Sequence, residues 1–120
     1  MNNKTLGTAF ECRMCELLAL KGYWVHFIVP DARGAQPFDI IAVKNGKAIA
    51  IDCKTCVADM FNINRLEDNQ IMAFEKWLSV GNSEPIIAVE HKEEIYIIPY
   101  KSIRVLRSVK IANYGGIEQL

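Results

Sequence analysis

The segment Asp52-Cys53-Lys54 places an acid and a base two residues apart in an apolar stretch. Side chains alternate between the two faces of a β-strand, so Asp52 and Lys54 project together while Cys53 points the other way. The apolar run before Asp52 indicates a strand in the core of a sheet. An ionised pair is costly there unless it is well paired or binds something. The spacing therefore predicts a buried functional pair.

A second carboxylate, Asp39, opens the neighbouring strand of a predicted hairpin. The strand-like runs from Phe38 to Val43 and from Ala48 to Lys54 flank Asn45-Gly46, which favours a type I′ turn. This register places Asp39 opposite residue 52, so two carboxylates can bind one cation. Like charges at that separation need a metal ion to stay ionised. Mg²⁺ suits them because it prefers oxygen ligands and keeps waters and phosphate oxygens as further ligands.

Such a site suits phosphodiester hydrolysis, in which a metal ion binds the scissile phosphate and lowers the pKa of a water. Asp39 and Asp52 would hold the metal. Lys54 would orient the attacking water or stabilise the charge that develops on phosphorus. Glu11, on a predicted helix beside the sheet, would complete the ligand shell directly or through a water, or bind a second metal.

The elements that position these residues follow from apolar periodicity. A helix is predicted from Thr8 to Leu20, a strand from Tyr23 to Val29 and a loop over residues 31–37. After the hairpin, Asn62 or Asn64 is expected to cap a second helix that runs to about Leu78.

Strands are predicted from Ile86 to Val89 and from Ile95 to Ile98, then a short helix from about Lys101 and a loose tail at residues 114–116. The order helix, strand, hairpin, helix, strand, strand predicts an α/β fold. Its central mixed sheet has a helix on each side, and one domain covers residues 1–120.

The composition is that of an ordinary globular protein, with 51% hydrophobic and 23% charged residues and a formal net charge of zero. No apolar run is long enough to cross a bilayer, so we expect no membrane association and a cytoplasmic location. If the phosphodiester substrate is DNA, a chain with no net charge must contact its phosphates through local clusters of basic residues. The candidates for phosphate contact are Arg33, Arg104, Arg107 and Lys110. Each of them can equally be an ordinary charged residue on a solvated surface.

Three segments resemble the signature blocks of the PD-(D/E)XK nucleases: residues 7–11, 37–42 and 51–55. The pattern is most similar to the archaeal Holliday junction resolvases and their RecU-like relatives. In that family the matching positions are a helix glutamate, an aspartate opening the second strand and an acid-x-lysine on the third. The residues at these positions, in order, are Glu11, Asp39, Asp52 and Lys54.

The resemblance implies a restriction-endonuclease-like αβββαβ core, a central mixed sheet flanked by helices, and a two-fold homodimer. It also implies Mg²⁺-dependent cleavage of branched DNA, with Mn²⁺ as a substitute, and a role in DNA recombination and repair. Gln70 matches a glutamine often found near that active site. Two departures are that Pro37 lies two residues before Asp39 instead of next to it, and that Asp52 replaces the commoner glutamate.

The cysteines offer a competing interpretation, because residues 12–15 and 53–56 form two CxxC pairs. Four cysteines with this spacing are typical of a four-thiolate zinc site. Neither pair has the glycine or proline of a zinc-binding turn, and Cys53 and Cys56 should face opposite sides of a strand. We therefore expect reduced thiols. Cys53 is nevertheless kept as a candidate ligand of the catalytic metal.

Three hypotheses follow. The leading one is a dimeric, metal-dependent endonuclease acting on Holliday junctions or other branched DNA. The second is a PD-(D/E)XK restriction or repair nuclease that cuts duplex DNA. The third, from another class, is a noncatalytic DNA-binding or metal-stabilised module.

Overall fold

A computed structural model describes residues 3–29 and 36–120 of the chain. Its helices are α1 (Asn3–Leu20), α2 (Asp68–Ser79) and α3 (Tyr100–Leu106). Its strands are β1 (Trp24–Phe27), β2 (Ile40–Lys44), β3 (Lys47–Thr55), β4 (Met60–Asn62), β5 (Ile86–His91), β6 (Glu94–Pro99) and β7 (Ser108–Lys110).

Five of these strands form a mixed sheet in the order β1-β2-β3-β5-β6. β3 and β5 run parallel, and the other neighbours are antiparallel. The crossover between β3 and β5 contains α2, as parallel neighbours require. The predicted α/β fold with a central mixed sheet is confirmed. A second, two-stranded sheet of β4 and β7 was not predicted from the sequence.

The β2–β3 hairpin has the predicted register. Asn45 and Gly46 both adopt positive φ angles, of 54° and 75°, as a type I′ turn requires. Lys44 pairs with Lys47 and Ile40 with Ile51. Residue 39 is therefore in line with residue 52 at the open end of the hairpin.

The sheet separates two hydrophobic cores. On one face, α1 packs the side chains Phe10, Met14 and Leu18, spaced four residues apart, against Ile40 and Ile51. On the other face, α2 and α3 cover a core that includes Phe74, Ile87, Tyr100 and Ile103. Strand alternation consequently assigns Asp52, which follows Ile51 on β3, to the α2 face, and Asp39 lies just before β2.

Two sequence predictions need correction. Asn62 caps a 3₁₀ turn at Ile63–Arg65, where its side chain accepts a hydrogen bond from the Asn64 N–H at 2.9 Å. α2 begins only at Asp68, so this polar cap belongs to a shorter element. The C-terminal segment is not loose, because the Gly115 carbonyl accepts a 2.8 Å hydrogen bond from the Ile97 N–H of β6.

No helix in the described part of the chain combines the length and the apolar character needed to cross a membrane.

Candidate active site

Asp52 and Lys54 lie on β3 beneath the first turn of α2. Asp52 is fully buried, and the Lys54 ammonium lies 3.3 Å from its Oδ2. Gln70 of α2 connects the two, because its Nε2 donates to Asp52 Oδ1 at 2.9 Å and its Oε1 accepts from Lys54 Nζ at 3.2 Å. The glutamine therefore holds acid and base in a fixed relative position.

Asp39 immediately precedes β2 and is 4% exposed. Its Oδ2 accepts a 2.8 Å hydrogen bond from the backbone N–H of Cys53, which ties it to the strand that bears Asp52. Its Oδ1 accepts from the side-chain amide of Gln36. The two aspartates therefore come from adjacent strands and meet at the open end of the hairpin.

Glu11 approaches from α1. It follows Phe10, which points into the core, so it lies at the edge of the helix face and is half-buried. Burial, and then the negative charge of Asp39, raise the pKa of Glu11 to about 7, although Lys54 acts in the opposite direction. Glu11 thus belongs electrostatically to the same cluster as Asp39 and Lys54.

The charge balance of this cluster suits a bound cation. Burial, and then the charge of Asp39, raise the pKa of Asp52 well above its usual range in spite of Lys54. Asp52 Oδ2 is buried and has no hydrogen-bond partner among the described residues. Three carboxylates face one ammonium group, so a divalent ion would relieve their repulsion and satisfy the buried oxygen.

The carboxylate oxygens of these residues are donor atoms of the kind that Mg²⁺ and Mn²⁺ prefer. Within residues 3–29 and 36–120, no three Asp, Glu, His or Cys side chains form a complete metal-binding group. Mg²⁺ does not need such a group, because it is commonly held by one or two carboxylates together with waters and substrate phosphates. Asp39 and Asp52 supply that number.

The cysteine side chains do not gather at one place as the acidic residues do. Cys53 packs in the α1-side core, Cys56 packs in the α2-side core, and Cys12 is exposed. Burial, and then the charge of Asp39, raise the pKa of the Cys53 thiol well above its usual range. A metal ligand must be a thiolate, so this position disfavours the Cys53 side chain as a ligand.

Three of the four predicted phosphate-binding residues lie on α3 and the segment that follows it. Arg104 donates to both carboxylate oxygens of Glu75 at 3.2 Å and lies over the Tyr100 ring. Arg107 lines a surface cleft together with Arg104 and Glu75, and Lys110 is exposed on β7. Arg33 lies outside the described residues.

Sequence reasoning did not single out Gln36, although it contacts Asp39. It belongs to no motif and lies within a stretch predicted as loop, so only its position three residues before Asp39 could have drawn attention to it. Gln70, by contrast, was identified from the resemblance and lies in direct contact with Asp52 and Lys54.

Comparison with known proteins gives a consistent result. Residues 2–118 match the family model described as archaeal Holliday junction resolvase (Hjc). The crossover junction endodeoxyribonuclease Hjc of Methanocaldococcus jannaschii is 26% identical over 92 residues, which cover 77% of this chain and 64% of that protein. The crossover junction endodeoxyribonuclease of Sulfolobus islandicus rod-shaped virus 1 is 24% identical over 119 residues, covering 96% of this chain and 98% of the viral protein.

The fold is also shared with a solved structure. Hjc from Archaeoglobus fulgidus, a Holliday junction resolvase from an archaeal hyperthermophile, superimposes with a TM-score of 0.72 at 14% sequence identity. The match covers 92% of this chain and 94% of the archaeal chain.

Proposed function

This chain belongs to the archaeal Holliday junction resolvase family, and from that premise we propose that it is a metal-dependent endonuclease that hydrolyses phosphodiester bonds in branched DNA. The observation that carries the proposal is the meeting of Asp39, Asp52 and Lys54 at one end of the β2–β3 hairpin, with Glu11 alongside. Each of these residues also matches a signature position of the PD-(D/E)XK nucleases.

Asp39 and Asp52 would hold the catalytic Mg²⁺, for which Mn²⁺ would substitute, and Glu11 would complete the shell directly or through a water. When bound, the metal lowers the pKa of a water and offsets charge on the scissile phosphate. The Oδ2 of Asp52 supports this assignment, since it is buried and accepts no hydrogen bond from the described residues, although it has an ion pair with Lys54 at 3.3 Å. We leave Cys53 out of the proposed ligand set because its side chain packs on the opposite face.

Lys54 has the role of orienting the attacking water and stabilising the charge that develops on the phosphate. Its side chain is 17% exposed, and its ammonium group is shared between Asp52 and Gln70. A buried cation held by two acceptors is positioned before the substrate arrives, which favours electrostatic stabilisation without reorganisation. Gln70 acts as a positioning residue for both Asp52 and Lys54.

The proposal includes a four-way DNA junction as the substrate and a homodimer as the active assembly. A four-way junction presents two equivalent strands, which a two-fold homodimer can cut with two equivalent sites. Arg33, Arg104, Arg107 and Lys110 stay predictions as DNA contacts. A cytoplasmic location, where DNA is available to the enzyme, is proposed with them.

The experiment is cleavage of a synthetic four-way junction and of a linear duplex with the same arm sequences, in Mg²⁺, in Mn²⁺ and with chelator. We expect nicks near the branch point in either metal, no cleavage in chelator, and far slower cleavage of the duplex. Equal cutting of both substrates would favour a restriction or repair nuclease. Binding without cleavage of either, even in Mn²⁺, would favour a noncatalytic module.

A further inference from the structure

Two glutamine side chains hold the two proposed metal ligands in the same way. Gln70 donates its side-chain amide to Oδ1 of Asp52, and Gln36 donates its amide to Oδ1 of Asp39. Each aspartate therefore has one oxygen fixed by a neutral amide donor. A neutral donor fixes the carboxylate without cancelling the charge that a cation needs.

Both glutamines are themselves anchored to the first turn of α2. The Gln70 side chain accepts a 3.0 Å hydrogen bond from the Glu67 N–H in a reciprocal capping interaction. The backbone carbonyl of Gln36 accepts a 2.7 Å hydrogen bond from the side chain of Asn69. One helix turn thus reaches Asp52 through Gln70 and Asp39 through Asn69 and Gln36.

We propose that Gln36 and Asn69 are positioning residues that orient Asp39 for metal binding, so that the first turn of α2 aligns ligands contributed by two different strands. The backbone of Asp39 is fixed by hydrogen bonds to Ile28 at 2.8 Å and Ile51 at 3.1 Å, so the freedom left to its carboxylate is side-chain rotation. Its carboxylate faces the like charge of Asp52, which favours rotation away from the site. The Gln36 amide on Oδ1, together with the Cys53 N–H on Oδ2, opposes that rotation before the metal arrives.

The inference rests on the proposed metal site, so its test measures metal binding as well as cleavage. Gln36→Met keeps a side chain of similar length and removes the amide donor. We expect Mn²⁺ to bind the DNA-free variant about tenfold more weakly in calorimetric titration, the usual effect of losing a partner of a metal ligand. The Mn²⁺ concentration for half-maximal junction cleavage should rise in parallel, while the rate at saturating Mn²⁺ stays close to that of the unsubstituted protein.

A second variant and a control separate positioning from folding. Asn69→Ala leaves the Gln36 amide in place and removes only its anchor, so a weaker effect in the same direction is expected. Asn82→Ala removes an exposed amide side chain beyond the other end of α2 and should change neither measurement. Urea unfolding of each metal-free variant should remain a single cooperative transition from a protein that is fully folded without urea.

The outcomes distinguish this inference from the proposed function. If the unsubstituted protein binds Mn²⁺ and Gln36→Met binds it equally well, the positioning role is wrong and the metal site stands. A loss of the saturating rate with no change in metal affinity would also overturn it. If the unsubstituted protein binds no Mn²⁺, with or without junction DNA, the metal site fails and this inference fails with it.

Discussion

The acidic residues of this protein occupy two contrasting environments. In the proposed active site, burial raises the pKa values of Glu11 and Asp52, and the charge of Asp39 adds to the effect. On the surface, the pKa of Asp59 is lowered, first by its hydrogen bond with Lys92. The site has more negative charge than its own cation can neutralise, whereas the surface carboxylate has its partner within the chain.

A second surface cluster gives the same contrast. Glu75 accepts a 2.5 Å hydrogen bond from the Tyr100 hydroxyl and contacts the Arg104 guanidinium, and the Tyr100 hydrogen bond is the main cause of its lowered pKa. Such pairs contribute modestly to stability because water screens them. The difference supports the proposal of a bound cation, whose charge would offset the repulsion among the acids of the proposed site.

The largest expected effect on cleavage comes from replacing an aspartate by asparagine in the proposed active site, and the same replacement on the surface serves as its comparison. Asp52→Asn should lower junction cleavage by more than about a hundredfold, because it removes a proposed metal ligand. The metal-free variant should nevertheless unfold at a higher temperature than the unsubstituted protein, because its site is relieved of a buried negative charge. Cleavage kinetics and thermal unfolding without metal test both parts.

Asp59→Asn is the matched surface exchange. It should leave cleavage close to that of the unsubstituted protein and lower the unfolding temperature, because Lys92 and His91 lose a charged partner. Similar effects of Asp52→Asn and Asp59→Asn on both cleavage and stability would remove the distinction between the two environments.

An intermediate effect is expected on the pH dependence of metal binding. The pKa of Glu11 is raised from 4.5 to about 7, so between these values the folded metal-free protein keeps a proton that the unfolded chain has lost. Its contribution to stability is therefore present in acid and is lost as pH rises through about 7. Metal binding must displace that proton, so affinity should rise with pH over the same interval.

Glu11→Gln should remove the component of this pH dependence centred near neutrality and bind Mn²⁺ more weakly at alkaline pH. Titration of DNA-free protein with Mn²⁺ across the pH range measures both effects. An unchanged pH profile in the variant would separate Glu11 from the metal site.

The smallest effect is expected at Glu75. Glu75→Gln should reduce the free energy of unfolding by less than about 1 kcal/mol at neutral pH, after allowance for solvent screening of this half-exposed residue. Since the pKa of Glu75 is lowered, its stabilisation is present above the unfolded-state pKa and is lost as pH falls through the folded-state value. Urea unfolding at neutral pH and in acid measures this, and Mn²⁺ binding should not change.

The sequence by itself determined that the two aspartates lie opposite each other at the open end of the hairpin. Strand alternation places Asp52 and Lys54 on one face. The two-residue turn at Asn45-Gly46 fixes the register that brings Asp39 opposite Asp52. These are short-range consequences of backbone geometry, so a single sequence is enough to predict them.

Only the tertiary structure decided which groups surround those residues. Nothing local in the sequence indicates that Gln36 donates to Asp39 or that Asn69, 33 residues away, anchors Gln36. The charged sequence that follows His91 does not indicate that this side chain is buried, with its Nδ1 2.8 Å from the Cys56 carbonyl. Such contacts depend on how α2 and the strand ends pack together, and packing is set by the whole chain and not by the pattern of any one segment.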